Sequence, residues 1–331
     1  MTRAQSVPML LAILALTACG EASDVEGFSI PIAASTFFSA TGETPPPGPS
    51  RALLTAPPSL PAPPPPAARM LVPPQIRGIY VSAYAAGSRA HRSSLLALTD
   101  STELNSWVVD VKDDDGIRYR SGDALAKEVT RGTIPLHDLK SLVDTLLAHG
   151  IYPIARVVVF KDSRLAEARP EWAIRTPSGA IWRDKLGTGW MSPWDERVWE
   201  YNLRVAEEAA RAGFREIQFD YVRFPEAYQS LPKQIHAKAA GEREEAIAGF
   251  LTSAKRRLGP RGVVVAADLF GLSMNDAEDV GIGHQWETLS PVVDHLLPMV
   301  YPSHYFPTHL PGIRAPNRMP YETVFTSVAM G

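Results

Sequence analysis

From residue 78 onward the chain alternates between two hydrophobic rhythms. Residues 78–84 and 106–112 alternate apolar and polar positions with period two, and 151–160 forms a third apolar run. A period of two sends successive side chains to opposite faces of a strand. The stretch 216–222 shows this most clearly: Ile217, Phe219 and Tyr221 interleave with Gln218, Asp220 and Val222, until Pro225 stops the run. Residues 262–268 are almost continuously Val and Ala, as suits a strand covered on both sides. Residues 294–301 give a sixth strand.

Helical spacing fills the intervals. It spans 91–104 and 135–149, where Leu139, Leu142, Val143, Leu146 and Leu147 share a face and Gly150 is the stop. A third helix opens at Ser192-Pro193-Trp194-Asp195, with Ser192 read as N-cap, Pro193 in the first turn and Asp195 completing a capping-box-like start. Its buried face is Val198, Tyr201, Val205, Ala209 and Ala212, and Gly213 ends it. Further helices cover about 241–258 and 321–329.

Six strand–helix alternations predict a parallel sheet with right-handed crossovers. An open doubly wound sheet and an eight-stranded barrel both produce that order. No glycine-rich phosphate loop follows the first strand, which weakens the nucleotide-binding version. Lys112, Arg156, Asp220, Asp268 and Tyr301 all fall at or near the C-terminal ends of strands, where barrels keep their active sites. The expected fold is therefore α/β, a TIM (β/α)8-type barrel, with about six βα units before the sequence stops at Gly331; that stop gives the expectation of a truncated barrel.

Composition divides the chain into three parts. Residues 1–18 read as a secretory signal, with Arg3 before an apolar run too short to span a bilayer permanently. Leu16-Thr17-Ala18-Cys19-Gly20 resembles the lipobox of bacterial lipoproteins, and Cys19 is the only cysteine. The resemblance implies lipid on Cys19 and a cell-envelope location, in the outer membrane where the cell has one. Residues 19–75 read as a proline-rich tether that cannot build a core. Residues 76–331 are the barrel domain. One cysteine leaves no disulfide framework and no cysteine-rich zinc site. The net charge of −3 gives no reason to expect nucleic acid. Asp113 to Asp115 lacks the spacing of a calcium loop, and the histidines lack a metal-ligand spacing such as H-E-x-x-H.

Strand parity selects the candidate chemistry. Gln218 and Asp220 share a face; Val264, Ala266 and Asp268 share the corresponding face of the next strand; Asp110 and Lys112 are expected to share one too. Neighbouring strands lie about 4.8 Å apart, so the carboxyl groups of Asp220 and Asp268 are expected roughly 5–8 Å apart. Two carboxyl groups at that spacing suit glycosidic bond cleavage, by retention near 5–5.5 Å or by inversion at about 6.5–9.5 Å, and both stay open. Arg223 or Arg156 would keep Asp220 ionised, while desolvation would raise Asp268. The long connection 161–191 is rich in tryptophan; Trp182 and Trp190 are candidate sugar platforms, with loop pinning as the alternative role. His304 falls in a proline-rich loop that could line the mouth.

Several blocks resemble a bacterial glycoside-hydrolase family of unknown specificity: Arg77 to Val81, Val109 to Asp113, Ile154 to Lys161, Met191 to Trp194, Pro298 to Tyr305 and, most specifically, Phe219-Asp220-Tyr221-Val222-Arg223-Phe224-Pro225. The likeness covers about 77–331. It implies a TIM barrel related to amylase-type hydrolases, with Asp220 as nucleophile, Asp268 as acid/base and a carbohydrate as partner. A glycoside hydrolase of this kind is expected to need no cofactor. The fifth-strand acid of amylase-type enzymes is usually Glu; here it is Asp. Lys112, Arg156, Trp182, Trp190, Arg223, Tyr301 and His304 are the expected substrate contacts. Two other functions fit the same residues: a non-catalytic glycan-binding lipoprotein, and a metal-dependent hydrolase using Asp110, Asp220 and nearby histidines.

Overall fold

A computed structural model describes residues 72–331. The expected signal peptide, Cys19 and all but the last four residues of the tether lie outside the described residues. Among the described residues no helix is long and apolar enough to cross a membrane.

Six parallel strands form the sheet: β1 (Gly78–Val81), β2 (Ser106–Asp113), β4 (Tyr152–Val158), β5 (Glu216–Asp220), β6 (Val264–Phe270) and β7 (His295–Met299). A two-residue strand, β3 (Gly116–Ile117), folds back antiparallel on β2. The parallel strands lie side by side in chain order, β1-β2-β4-β5-β6-β7. Each crossover thus moves the chain one place in the same direction. A doubly wound sheet reverses direction once; this one never does, and it curls into a parallel half-barrel.

The helices are α1 (Ala83–Gly87), α2 (Arg89–Asp100), α3 (Ala124–Val129), α4 (Leu139–Ala148), α5 (Ser163–Ala168), α6 (Glu196–Ala212), α7 (Arg243–Leu258), α8 (Trp286–Leu289) and α9 (Pro320–Met330). Phe219 of β5 meets Phe250 of α7 edge-on at 5.1 Å, and Phe160 meets the same ring at 5.6 Å. All three rings are fully buried. Each contributes about 1.5–3 kcal/mol by leaving water. The apolar parity of β5 therefore faces the helices, and its polar parity faces the concave side.

Local chemistry corrects two expected boundaries. The first strand ends at Val81 rather than 84, because the Ser82 hydroxyl accepts the Ala85 N–H at 3.3 Å and starts α1 on a run of small residues. The N-cap of α6 is Asp195, not Ser192. The Asp195 carboxylate accepts the Arg197 N–H at 3.1 Å, whereas the Ser192 hydroxyl is engaged with His236 Nδ1. Gly213 does end α6, at a φ of 111° that only glycine adopts freely.

The third correction concerns parity. A β-bulge interrupts β2: Asp110 stands opposite Arg156, but Lys112 stands opposite Val157. The extra residue turns Lys112 to the helix-covered side. Asp110 and Lys112 do not share a face.

Candidate active site

The concave face carries one polar network across five strands. Arg156 of β4 lies at its centre. Its Nε and Nη2 donate to Asp220 Oδ2 at 2.9 and 2.5 Å, and its Nη1 donates to Asp110 Oδ1 at 2.7 Å. Tyr80 of β1 donates its hydroxyl to Asp110 Oδ2, and the Arg156 guanidinium lies 5.8 Å from the Tyr80 ring centre. Gln218 of β5 donates Nε2 to both oxygens of Asp268 on β6, at 2.8 and 2.9 Å. Asp220 and Asp268 are buried, while Tyr80 is 60% exposed and opens the network to solvent.

Burial at such a site costs a carboxylate its hydration unless a cation replaces it. Arg156 does so for Asp220 and Asp110. Burial alone would depress the guanidinium; the Asp220 and Asp110 charges outweigh it and hold Arg156 above its ordinary value. Asp268 has no such cation in contact. Burial first, and the neighbouring Asp220 charge second, push its carboxyl up to about 7. Burial also raises Asp110, against the pull of Arg156. Tyr80 rises to about 12, through burial and then its bond to Asp110. The site thus holds one ion-paired carboxylate beside one carboxyl that burial and its neighbour make a weaker acid.

The backbone is bent where this pair is made. Tyr221 directly follows Asp220 and adopts a φ of 47°, a left-handed conformation costly for a residue with a Cβ. In return its N–H points at Asp220 Oδ1, 2.6 Å away. Trp190 edge-on at 5.8 Å, Lys161 at 4.9 Å and Arg223 at 5.4 Å hold the Tyr221 ring in place.

The other expected contacts are distributed differently. Lys112 is fully enclosed behind the sheet. It pairs with Asp162 at 2.9 Å, donates to the Val158 carbonyl at 2.5 Å and lies 5.7 Å from the Tyr201 ring. Arg223 does not partner Asp220; it pairs with Glu226 at 3.2 Å and stacks near Trp190 and Phe270 at 5.1 and 5.0 Å. Trp182 and Trp190 are buried to 0% and 1% exposure, so neither offers a ring face to a sugar. Their indole N–H groups donate to Pro232 O and Asp184 Oδ2, which ties down the long loops. Tyr301 and His304 do stand at the surface beyond β7. His304 stacks on Phe270 at 5.7 Å with an interplanar angle of 14°, and Tyr301 meets it edge-on at 5.2 Å. Tyr80 and Phe270 join this polar and aromatic rim without having been singled out by sequence. Finding Tyr80 requires its register opposite Val108, two residues before Asp110 on the same face.

Asp110 and Asp220 also bear on the metal alternative. The Arg156 guanidinium already fills the cationic position between them. Among the described residues no three His, Cys, Asp or Glu side chains converge as a ligand set.

A parallel half-barrel with an ion-paired carboxylate and a second, more weakly acidic carboxyl on neighbouring strands defines a barrel-type α/β protein. The chain belongs to the family described as "Putative glycosyl hydrolase domain", whose model matches residues 78–331. Among solved structures it is similar to a hypothetical protein from Ruminiclostridium thermocellum ATCC 27405, at 34% identity and a TM-score of 0.53, over 57% of this chain and 96% of that one. A GH20 exo-β-N-acetylglucosaminidase from Vibrio harveyi matches at 14% identity and a TM-score of 0.44, over 58% of this chain and 35% of that one. A maltogenic α-amylase from Thermotoga neapolitana matches at 14% and 0.42, over 67% of this chain and 48% of that one. The last two overlaps are too loose to bear on chemistry. A search of curated proteins finds no match.

Proposed function

We propose that this protein is a glycoside hydrolase acting on a cell-envelope or extracellular polysaccharide through Asp220 and Asp268. The observation that carries the reading is the electrostatic split between them: Arg156 pairs with Asp220, while Asp268 is pushed up to about 7. Glycosidic cleavage needs one ionised and one protonated carboxyl. In this reading Asp268 gives its proton to the leaving glycosidic oxygen as the bond to the anomeric carbon breaks. Asp220 attacks that carbon and forms a glycosyl ester. A water then gives its proton to Asp268 and its oxygen to the anomeric carbon, and Asp220 leaves as a carboxylate. A covalent intermediate on Asp220 makes this reading a retaining one. The strand order and uniform winding support reading the sheet as part of a TIM-type barrel, with the site at its usual end. The lipobox-like segment supports anchoring by lipid on Cys19 at the cell envelope.

The test is turnover of a polysaccharide panel by the full-length protein, with Asp220→Asn beside it. Loss of at least a thousandfold in kcat is expected. Unchanged turnover in Asp220→Asn removes the assignment, and glycan binding without turnover in the wild type favours a binding protein instead. Proton NMR of the first product anomer checks retention.

A further inference from the structure

A second concavity lies at the same end of the sheet, away from the carboxylate pair. Between α1, which follows β1, and the segments that follow β3 and α3 is a cavity of about 480 Å³. Its wall is closed by backbone contact. A Cβ on Gly87 would come within 2.3 Å of the Pro135 carbonyl oxygen, so α1 and the 132–137 segment meet without room for a side chain. Tyr84 forms one side of the cavity and is 51% exposed. Its ring is held from behind by Arg118, whose guanidinium lies 5.7 Å from the ring centre. Arg118 is itself fixed by Asp113 at 2.5 Å and Asp115 at 3.3 Å. Tyr84 is therefore an aromatic face fixed in orientation and open on the cavity side.

Arg120 and His137 line the same cavity, with the Thr133 hydroxyl between them in sequence. Neither Arg120 nor His137 has an ion-pair or hydrogen-bond partner among the described residues, and no acidic side chain lines the cavity. This sets Arg120 apart from Arg118, two residues earlier, which is fully paired. An unpaired guanidinium offers a planar fork of donors matched to a carboxylate, and an aromatic ring offers an apolar surface to the flat face of a pyranose.

The geometry points to a subsite for an acidic sugar, with the carboxylate of a uronic-acid residue held by Arg120 and His137 and its ring laid on Tyr84. The inference rests on the glycoside-hydrolase reading and narrows it to a polysaccharide that carries uronic acid. The cavity and the carboxylate pair share the C-terminal edge of the sheet, so a polymer lying along that edge can engage both.

The experiment is calorimetric titration of full-length protein carrying Asp220→Asn, which prevents turnover. The probes are tri-galacturonate, the uncharged maltotriose and inorganic sulfate. Tri-galacturonate is expected to bind, Arg120→Ala to weaken it at least tenfold, Tyr84→Ala to weaken it severalfold, and 0.5 M NaCl to reduce it. Equal binding of the two trisaccharides, no binding of tri-galacturonate, or no effect of Arg120→Ala overturns the proposal. Sulfate binding as tightly as tri-galacturonate, with Tyr84→Ala silent, overturns it also, by showing an anion site that ignores the sugar. Because no turnover is involved, these outcomes are separate from failure of the hydrolase assignment, which the Asp220→Asn activity comparison reads.

Discussion

Asp220, the last residue of β5, and Asp268, two residues before the end of β6, each follow directly on the register pair Phe219–Ala267. Their environments diverge within that one step: Arg156 reaches Asp220 at 2.5 Å, whereas Asp268 is met by the Gln218 amide at 2.8 Å and by Asp220 itself. From this difference follow two measurable properties of Asp268, one in rate and one in stability.

The Asp268 carboxyl is raised from 3.8 to about 7 by burial and by Asp220. It must be protonated to act as the acid, so kcat/KM is expected to fall as pH rises through about 7. Stability follows the same group. A raised folded-state pKa means that the folded protein binds the extra proton, so the Asp268 contribution is intact below pH 3.8 and is lost as pH climbs to about 7. At about 1.4 kcal/mol per pH unit, the loss is on the order of 4 kcal/mol. Asp268→Asn is therefore expected to be inactive yet more stable than wild type, with the gain growing from pH 4 to pH 7 and constant above. Thermal melts across that range check it; a gain independent of pH contradicts it.

Arg156 is shared by Asp110 and Asp220. Arg156→Met leaves two buried carboxylates without their cation. A loss of about 3–5 kcal/mol is expected, together with disappearance of activity. Urea denaturation gives the first quantity; a loss below about 1 kcal/mol would show that solvent, not the guanidinium, balances those charges.

Lys112 tests the other side of the sheet. Lys112→Met strands Asp162 in a fully enclosed place and is expected to cost about 3–5 kcal/mol. At temperatures where the variant stays folded, KM should match wild type. A raised KM with unchanged stability would return Lys112 to the substrate.

Tyr221 separates backbone strain from side-chain packing. Both Tyr221→Ala and Tyr221→Gly lose the ring contacts, but only glycine accepts a φ of 47° without penalty. Tyr221→Gly is expected to be the more stable of the two by about 1–2 kcal/mol. Equal stabilities would mean that the bend is not strained.

The anchor is checked by fractionation. Cys19→Ala is expected to move the full-length protein from the membrane fraction to the soluble one, and continued retention argues against lipidation.

Much of the scaffold was legible because burial writes directly into composition. The unbroken Val and Ala of β6 and the alternation of β5 need no knowledge of neighbours to be read as strands. Placing Asp220 beside Asp268 required only parity, and no irregularity intervenes between Phe219 and Asp220 or between Ala267 and Asp268. Lys112 was illegible for the opposite reason. A bulge adds a residue without changing the residue types, so alternation points Lys112 the wrong way. The tryptophans misled because polar neighbours such as Asp184 suggest exposure, whereas in the fold Asp184 turns inward to accept the Trp190 N–H at 3.0 Å. The Arg156–Asp110 contact depended on register across strands, which one strand's sequence does not contain.

The bulge in β2 gives two charged residues, separated only by Val111, independent fates. Asp110 answers to whatever occupies the cleft; Lys112 answers only to the wall behind it. Selection can therefore retune the cleft at position 110 without loosening the wall. Deleting Val111 would remove the bulge and leave Lys112 directly after Asp110, still opposite Val157 and still on the wall side, so the two fates would stay separate while the strand lost its local bend.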